Sequence, residues 1–164
     1  MYKLAIFFLI LVNVGCAIDN GFSTVDSTSS DDSSTLEETE LLSANRKKEG
    51  VLETMSGLQY MIINYGDGEK PKKEDTVVIN YDAYIIGKLT VFDSTKSRGV
   101  FKAKLSHLIK GLQEGIPLMS TGSKFTFFIP AKLAYGKQGI KGLIEPNKLL
   151  IYEIELIGIE SETR

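Results

Sequence analysis

Two opposite charges, Asp93 and Arg98, stand five positions apart around the stretch Val91-Phe92-Asp93-Ser94-Thr95. A second stretch runs Leu108-Ile109-Lys110-Gly111-Leu112-Gln113-Glu114-Gly115. A third runs Phe128-Ile129-Pro130-Ala131-Lys132-Leu133-Ala134-Tyr135-Gly136, with Ile144-Glu145-Pro146-Asn147 and Leu149–Leu156 after it. None of them holds the residue set of covalent or metal catalysis. The chain has one histidine, His107, and one cysteine, Cys16. That pair cannot build a zinc site of several His/Cys ligands, nor a disulfide framework. A Ser/His/Asp triad would have to use His107, which reads as a surface or packing residue between Ser106 and Leu108. There is no phosphate cradle: GxxxxGK[ST] and GxGxxG are absent, and Gly136-x-x-Gly139-x-x-Gly142 reads as a loop. Paired carboxylates for glycoside chemistry have no candidates beside aromatic platforms. The chemistry left is non-covalent, with no metal, no cofactor and no nucleophile expected.

Short, turn-rich elements must position these stretches. All four prolines and 13 of the 15 glycines lie from Gly50 onward. Strands are predicted at Leu58–Asn64, Thr76–Tyr84, Lys124–Ile129 and Leu149–Ile157. The last alternates clearly, with Leu150, Tyr152, Ile154 and Leu156 on one face and Glu153 and Glu155 on the other. Turns fall at Tyr65–Gly68, Ile86–Lys88, Thr121–Ser123 and Tyr135–Gly142. One short helix is predicted over Ile109–Met119, distorted or ended by Pro117. Mostly antiparallel strands with one short helix make an α+β domain.

The net charge of −2 conceals three regions. Residues 1–16 carry only Lys3, residues 17–45 carry seven acids and no base, and residues 46–164 are mildly basic with scattered lysines. Nucleic-acid binding wants a concentrated basic face, so that partner is not expected. Leu4–Val12 is an apolar run of signal-peptide length and too short to span a bilayer. Gly15-Cys16 at its end resembles the bacterial lipobox, although Asn13 stands where an aliphatic residue is usual. The expected organisation is a signal peptide at 1–15, then a lipidated Cys16 and an acidic Ser/Thr-rich disordered tether over 16–45, then one domain over 46–164. As a flexible coil the tether would reach roughly 30 Å from the membrane. Glu37, Glu38 and Glu40 before Arg46, Lys47 and Lys48 permit a short helix over Leu36–Lys48. The alternative is an ordinary cleaved signal and a secreted chain.

The three stretches, in this order and approximate spacing, resemble FKBP-type peptidyl-prolyl cis-trans isomerases. The likeness covers about Gly50 to Ile159, and Lys48–Tyr60 resembles the bacterial subgroup of macrophage infectivity potentiator proteins. It implies a twisted antiparallel sheet of about five strands wrapped around one short helix. It implies peptidyl-prolyl isomerase activity on proline-containing polypeptides outside the cytoplasm, with macrolides such as rapamycin as further ligands. That subgroup often carries a long helical dimerisation region, absent here, so a monomer is expected. Membrane association would run through Cys16, with the outer membrane or periplasm favoured because Ala17 follows it.

By the same resemblance, an apolar cleft is lined by Tyr81, Phe92, Phe101, Leu108, Ile109, Leu112, Ile144 and Tyr152, with Asp93, Arg98 and Tyr135 as polar members. Tyr135 would donate to a substrate carbonyl and the Ile109 N–H would hold a carbonyl flanking the proline. Asp93 would sit near the rotating amide, fixed through Tyr81 and Arg98. Phe92, Leu112 and Tyr152 would clasp the pyrrolidine ring. Leu112 stands where the family often has Trp, and Tyr152 where Phe is usual. The competing reading is an FKBP-fold binding or chaperone module with little turnover.

Overall fold

The computed structural model describes residues 30–88 and 91–160. The expected signal peptide, Cys16 and the first part of the tether lie outside the described residues. The elements are α1 (Ser30–Arg46), β1 (Val51–Glu53), β2 (Gln59–Asn64), β3 (Thr76–Ile85), β4 (Val91–Ser94), β5 (Phe101–Lys104), α2 (Lys110–Gly115), β6 (Lys124–Ile129) and β7 (Leu150–Glu160). Single 3-10 turns lie at Leu105–His107, Ile116–Leu118 and Ala131–Leu133. The strands form one antiparallel sheet in the order β1-β2-β6-β7-β3-β4, with β5 also on β3. β4 and β5 share one edge of β3, opposite Asp82–Tyr84 and Thr76–Ile79 respectively. Among the described residues there are thus seven strands where about five were expected. The additional pieces are three or four residues long, too short to show a period.

Alternation builds the core. On β3, Val77, Ile79, Tyr81, Ala83 and Ile85 face inward, and on β7 Leu150, Tyr152, Ile154 and Leu156 do the same. Register aligns these rows: Ala83 opposes Tyr152 and Tyr81 opposes Ile154. β6 continues the wall with Phe127 beside Tyr152 and Phe125 beside Ile154. Each such apolar side chain contributes about 1.5–3 kcal/mol on burial.

α2 lies on this wall. It approaches closely because Gly111 and Gly115 carry no Cβ. A Cβ at Gly111 would meet Ile129 Cγ2 at 2.4 Å, and one at Gly115 would meet the Phe127 ring at 2.6 Å. The expected helix over Ile109–Met119 appears as α2 running straight into the 3-10 turn Ile116–Leu118. Pro117 sits in the first residues of that turn, where its missing N–H is tolerated.

The tether expectation needs correcting for residues 30–45. They are helical, and α1 starts six residues before Leu36. The helix is held by polar contacts. Asn45 is buried and its Nδ2 donates to Gln59 Oε1 at 2.9 Å, while Gln59 Nε2 donates to the Leu42 carbonyl at 2.9 Å. Arg46 bonds Glu53, and Lys148 Nζ lies 3.2 Å from Glu37 Oε2. The domain boundary at residue 46 therefore does not mark where contact with the domain begins. No helix among the described residues is long and apolar enough to cross a membrane.

Candidate active site

A cleft of about 320 Å³ opens between the sheet and α2, lined by Ile79, Tyr81, Asp93, Phe101, His107, Leu108, Ile109, Leu112, Tyr135 and Tyr152. β3 supplies Ile79 and Tyr81 from one face, two residues apart. β5 brings Phe101 opposite Ile79, and its ring meets Tyr81 edge-on with centroids 5.8 Å apart. The α2 end supplies the other wall. Leu108 and Ile109 precede the helix, and Leu112 is its buried first-turn residue. Gln113 Nε2 donates back to the Leu108 carbonyl at 2.7 Å and the Ser106 carbonyl at 3.2 Å, which holds the approach to the helix in place. Tyr135 comes from the loop between β6 and β7.

The polar side of the cleft is a three-residue network. Tyr81 Oη donates to Asp93 Oδ2 at 2.6 Å. Arg98 Nη2 donates to Tyr81 Oη at 2.5 Å and to Asp93 Oδ1 at 2.6 Å. The guanidinium also lies over the rings of Tyr81 and Phe101, 5.7 and 6.0 Å from their centroids, where it attracts the ring faces. Two local features place these groups. Thr95 is buried and binds β3 at Tyr81 three ways: its Oγ1 accepts from the Tyr81 N–H and donates to the Tyr81 carbonyl, and its N–H donates to the same carbonyl. After it the chain makes one turn, closed by the Arg98 and Gly99 N–H groups on the Thr95 carbonyl, which returns Arg98 over Asp93; Gly99, at φ +81°, a backbone state that favours glycine, then leads toward β5.

The β3–β4 ladder slips between Ala83–Asp93 and Tyr84–Val91, which leaves Phe92 as the extra residue of a bulge. Bulges re-aim side chains. Phe92 here meets the Tyr152 ring edge-on, with centroids 6.3 Å apart at 87°.

Burial sets the tyrosines. It pushes the Tyr81 hydroxyl up to about 12, with the Asp93 carboxylate adding to the rise and Arg98 opposing it. Burial raises Tyr135 as well, followed by the Asp93 charge. Tyr152 rises further still, again through burial first and its neighbour Tyr135 second. All three hydroxyls keep their protons at neutral pH; that of Tyr81 is committed to Asp93, and those of Tyr135 and Tyr152 share a hydrogen bond beside the cleft. The Ile109 N–H has no acceptor among the described residues. Among those residues no group of three His, Cys, Asp or Glu stands together as a metal site.

Tyr81, Asp93, Phe101, Leu108, Ile109, Leu112, Tyr135 and Tyr152 thus meet in one cleft. Phe92 and Arg98 stand behind its wall, packing on Tyr152 and bonding Tyr81. Ile144 departs from expectation: it is buried in the core, at the bridge to Ile140, and does not line the cleft. Two lining residues escaped the sequence reading. Ile79 was within reach of the period-2 pattern, as the inward neighbour of Tyr81. His107 is an exposed residue at the cleft's border, and its neighbours in sequence carry no signal of that placement.

Comparison with known proteins agrees with this geometry. The family description "FKBP-type peptidyl-prolyl cis-trans isomerase" matches residues 67–157. The FKBP-type peptidyl-prolyl cis-trans isomerase FkpA of Aeromonas hydrophila is 47% identical over 122 residues, covering 74% of this chain and 45% of that protein. Outer membrane protein MIP of Legionella longbeachae is 45% identical over 120 residues, covering 73% of this chain and 51% of that protein. The chain spans about half the length of these curated relatives. The crystal structure of FkpA from Escherichia coli superposes with a TM-score of 0.76 at 34% identity, covering 81% of this chain and 62% of that one. A peptidyl-prolyl cis-trans isomerase from Pseudomonas syringae superposes equally well, with a TM-score of 0.76 at 27% identity, covering 83% of this chain and all of that one. With the sheet, the short helix and the cleft between them in place, this chain belongs to the FKBP-type peptidyl-prolyl cis-trans isomerase family.

Proposed function

We propose that the chain is a peptidyl-prolyl cis-trans isomerase that accelerates X–Pro rotation in proline-containing polypeptides. The observation that carries this is the cleft itself: an aromatic and aliphatic lining with a protonated Tyr135 hydroxyl, a free Ile109 N–H and the Asp93–Tyr81–Arg98 network on its borders. The barrier to rotation is about 20 kcal/mol, because amide resonance must be broken. The planar amide is strongly dipolar and the twisted one less so, so an apolar site penalises the ground state more than the transition state. Tyr135 donates to a substrate carbonyl and Ile109 N–H holds a second one. Leu112 and Tyr152 clasp the pyrrolidine ring, with Phe92 buttressing Tyr152. Asp93 faces the rotating amide and is kept in orientation by Tyr81 and Arg98. No bond is made or broken. Each tenfold in rate needs only about 1.4 kcal/mol of differential stabilisation.

The test is a protease-free isomerisation assay on a proline tetrapeptide, with wild type beside Asp93→Leu and Tyr135→Phe. Acceleration by wild type, reduced in both variants, is expected; no acceleration by wild type overturns the enzyme reading in favour of a binding module. Macrolides such as rapamycin are further ligands of the same cleft, measured as inhibition of that assay. The site of action is extracytoplasmic, through a lipid anchor at Cys16. The position of Cys16 after the apolar run and the name of the Legionella relative support this. Unchanged membrane partitioning of Cys16→Ser would overturn it. The chain acts as a monomer, which sedimentation tests directly.

A further inference from the structure

The isomerase reading leaves the acidic segment before the domain without a role, yet α1 touches the loop that carries Tyr135. Glu38, Leu42 and Asn45 stand at i, i+4 and i+7, on one face of α1. Asn45 and Leu42 are fastened to Gln59 at the start of β2. Two helical turns away, about 10 Å along the axis, the Glu38 carboxylate accepts the backbone N–H of Ala131. Ala131 opens the 3-10 turn at the start of the Tyr135 loop. Its carbonyl in turn accepts the N–H groups of Ala134 at 2.9 Å and Gly136 at 2.8 Å, the two residues that flank Tyr135. The far end of the loop is tied in the same way. The Gly136 carbonyl accepts the Asn147 N–H at 2.9 Å, and the next residue, Lys148, pairs with Glu37. Adjacent acids of α1 therefore hold both ends of the loop.

The Ala131–Glu38 bond is the stronger of the two. It is charge-assisted and half-buried, whereas Glu37 is exposed. Burial raises the Glu38 carboxyl above its ordinary value, and the Ala131 N–H and then the Lys132 charge offset part of that rise.

We propose that Glu38 is a positioning residue for Tyr135: through Ala131 it sets the loop so that the Tyr135 hydroxyl points into the cleft. This rests on the isomerase reading and assigns that reading a part to the acidic segment. The experiment uses the full chain and four variants: Glu38→Ala, Glu38→Gln, Tyr135→Phe and the Glu38→Ala/Tyr135→Phe pair. Their kcat/KM is read in the proline-tetrapeptide assay, and amide hydrogen exchange is followed at Ala131, Gly136 and Gly139. Glu38→Ala is expected to lower kcat/KM by about fivefold, roughly 1 kcal/mol. Glu38→Gln keeps an acceptor oxygen at the same reach and recovers most of the loss. In the Tyr135→Phe background Glu38→Ala removes little more, because both changes act on one hydroxyl. Exchange at the three loop amides speeds up in Glu38→Ala while the β6–β7 ladder stays protected. Wild-type kcat/KM and exchange in Glu38→Ala would overturn the proposal, as would a loss that adds in full to that of Tyr135→Phe. A wild-type chain with no isomerase activity overturns the isomerase reading instead. The exchange arm then decides alone whether Glu38 holds the loop.

Discussion

The Tyr81 hydroxyl, on strand β3, reaches Asp93 Oδ2 across 2.6 Å, and it does so from inside the core. The ring forms part of the cleft wall while the hydroxyl orients the carboxylate at its border. One side chain thus links the packing of the sheet to the polar side of the site, and Arg98 closes the same triangle from the β4–β5 turn.

Tyr81→Phe keeps the ring and removes that link. Hydrogen bonds to charged groups contribute about 1.5–3 kcal/mol, so denaturant unfolding should show a loss within that range. The isomerisation rate should fall severalfold as Asp93 loses its orientation. A stable variant with an unchanged rate would show that Arg98 alone orients Asp93.

Alkaline pH should weaken the fold in a defined window. The unfolded tyrosine releases its proton near 10.0, whereas Tyr81 in the fold holds it to about 12. A folded-state value above the unfolded one means a contribution complete below the unfolded value and lost as pH rises through the folded one. Tyr135 and Tyr152 are raised in the same direction and add to the effect. Unfolding free energy measured against pH should therefore hold steady, as far as these groups are concerned, up to about 9 and fall from about 10 to 12. The chain has no Trp, so tyrosine absorbance follows the titration without interference.

Gly111→Ala should destabilise although alanine is the better helix former. The new methyl would stand 2.4 Å from Ile129 Cγ2, and Gly111 is packed between α2 and β6. Overpacking typically costs about 1–3 kcal/mol, more than the roughly 1 kcal/mol gained in propensity. Thermal unfolding would show it, and a rise in midpoint would contradict the packing described here.

Asn45→Ala tests the docking of α1. It leaves the Gln59 amide oxygen, in a fully buried residue, without its donor. The expected loss is about 1–3 kcal/mol, with faster amide exchange along α1. No change in either would mean the helix is not held at this point.

Much of the site was readable from the chain. Asp93, Ile109, Leu112 and Tyr135 lie in three short motifs whose resemblance to the FKBP family implies one cleft, and the fold brings them together at one. Phe101, in a four-residue strand, reaches the cleft because β5 pairs with β3 opposite Ile79. Ile144 did not follow the resemblance, since the loop bridge at Ile140 turns it into the core. The docking of α1 was not legible. Its composition is that of a solvated spacer, and its attachment depends on single polar contacts such as Glu38 to Ala131, 93 residues apart.

The amino-acid sequence by itself determined the strands of the wall and the helix on it. Alternation over ten or eleven residues in β3 and β7, and glycines at 111 and 115, carry that information locally. Which polar groups face one another was decided only by the tertiary structure. The triangle of Tyr81, Asp93 and Arg98 needs a bulge at Phe92 and a turn closed on the Thr95 carbonyl. The bond from Glu38 to the Tyr135 loop needs a helix whose one polar face finds an unpaired N–H across the domain. A hydrogen bond depends on distances set by packing, so no local pattern announces it.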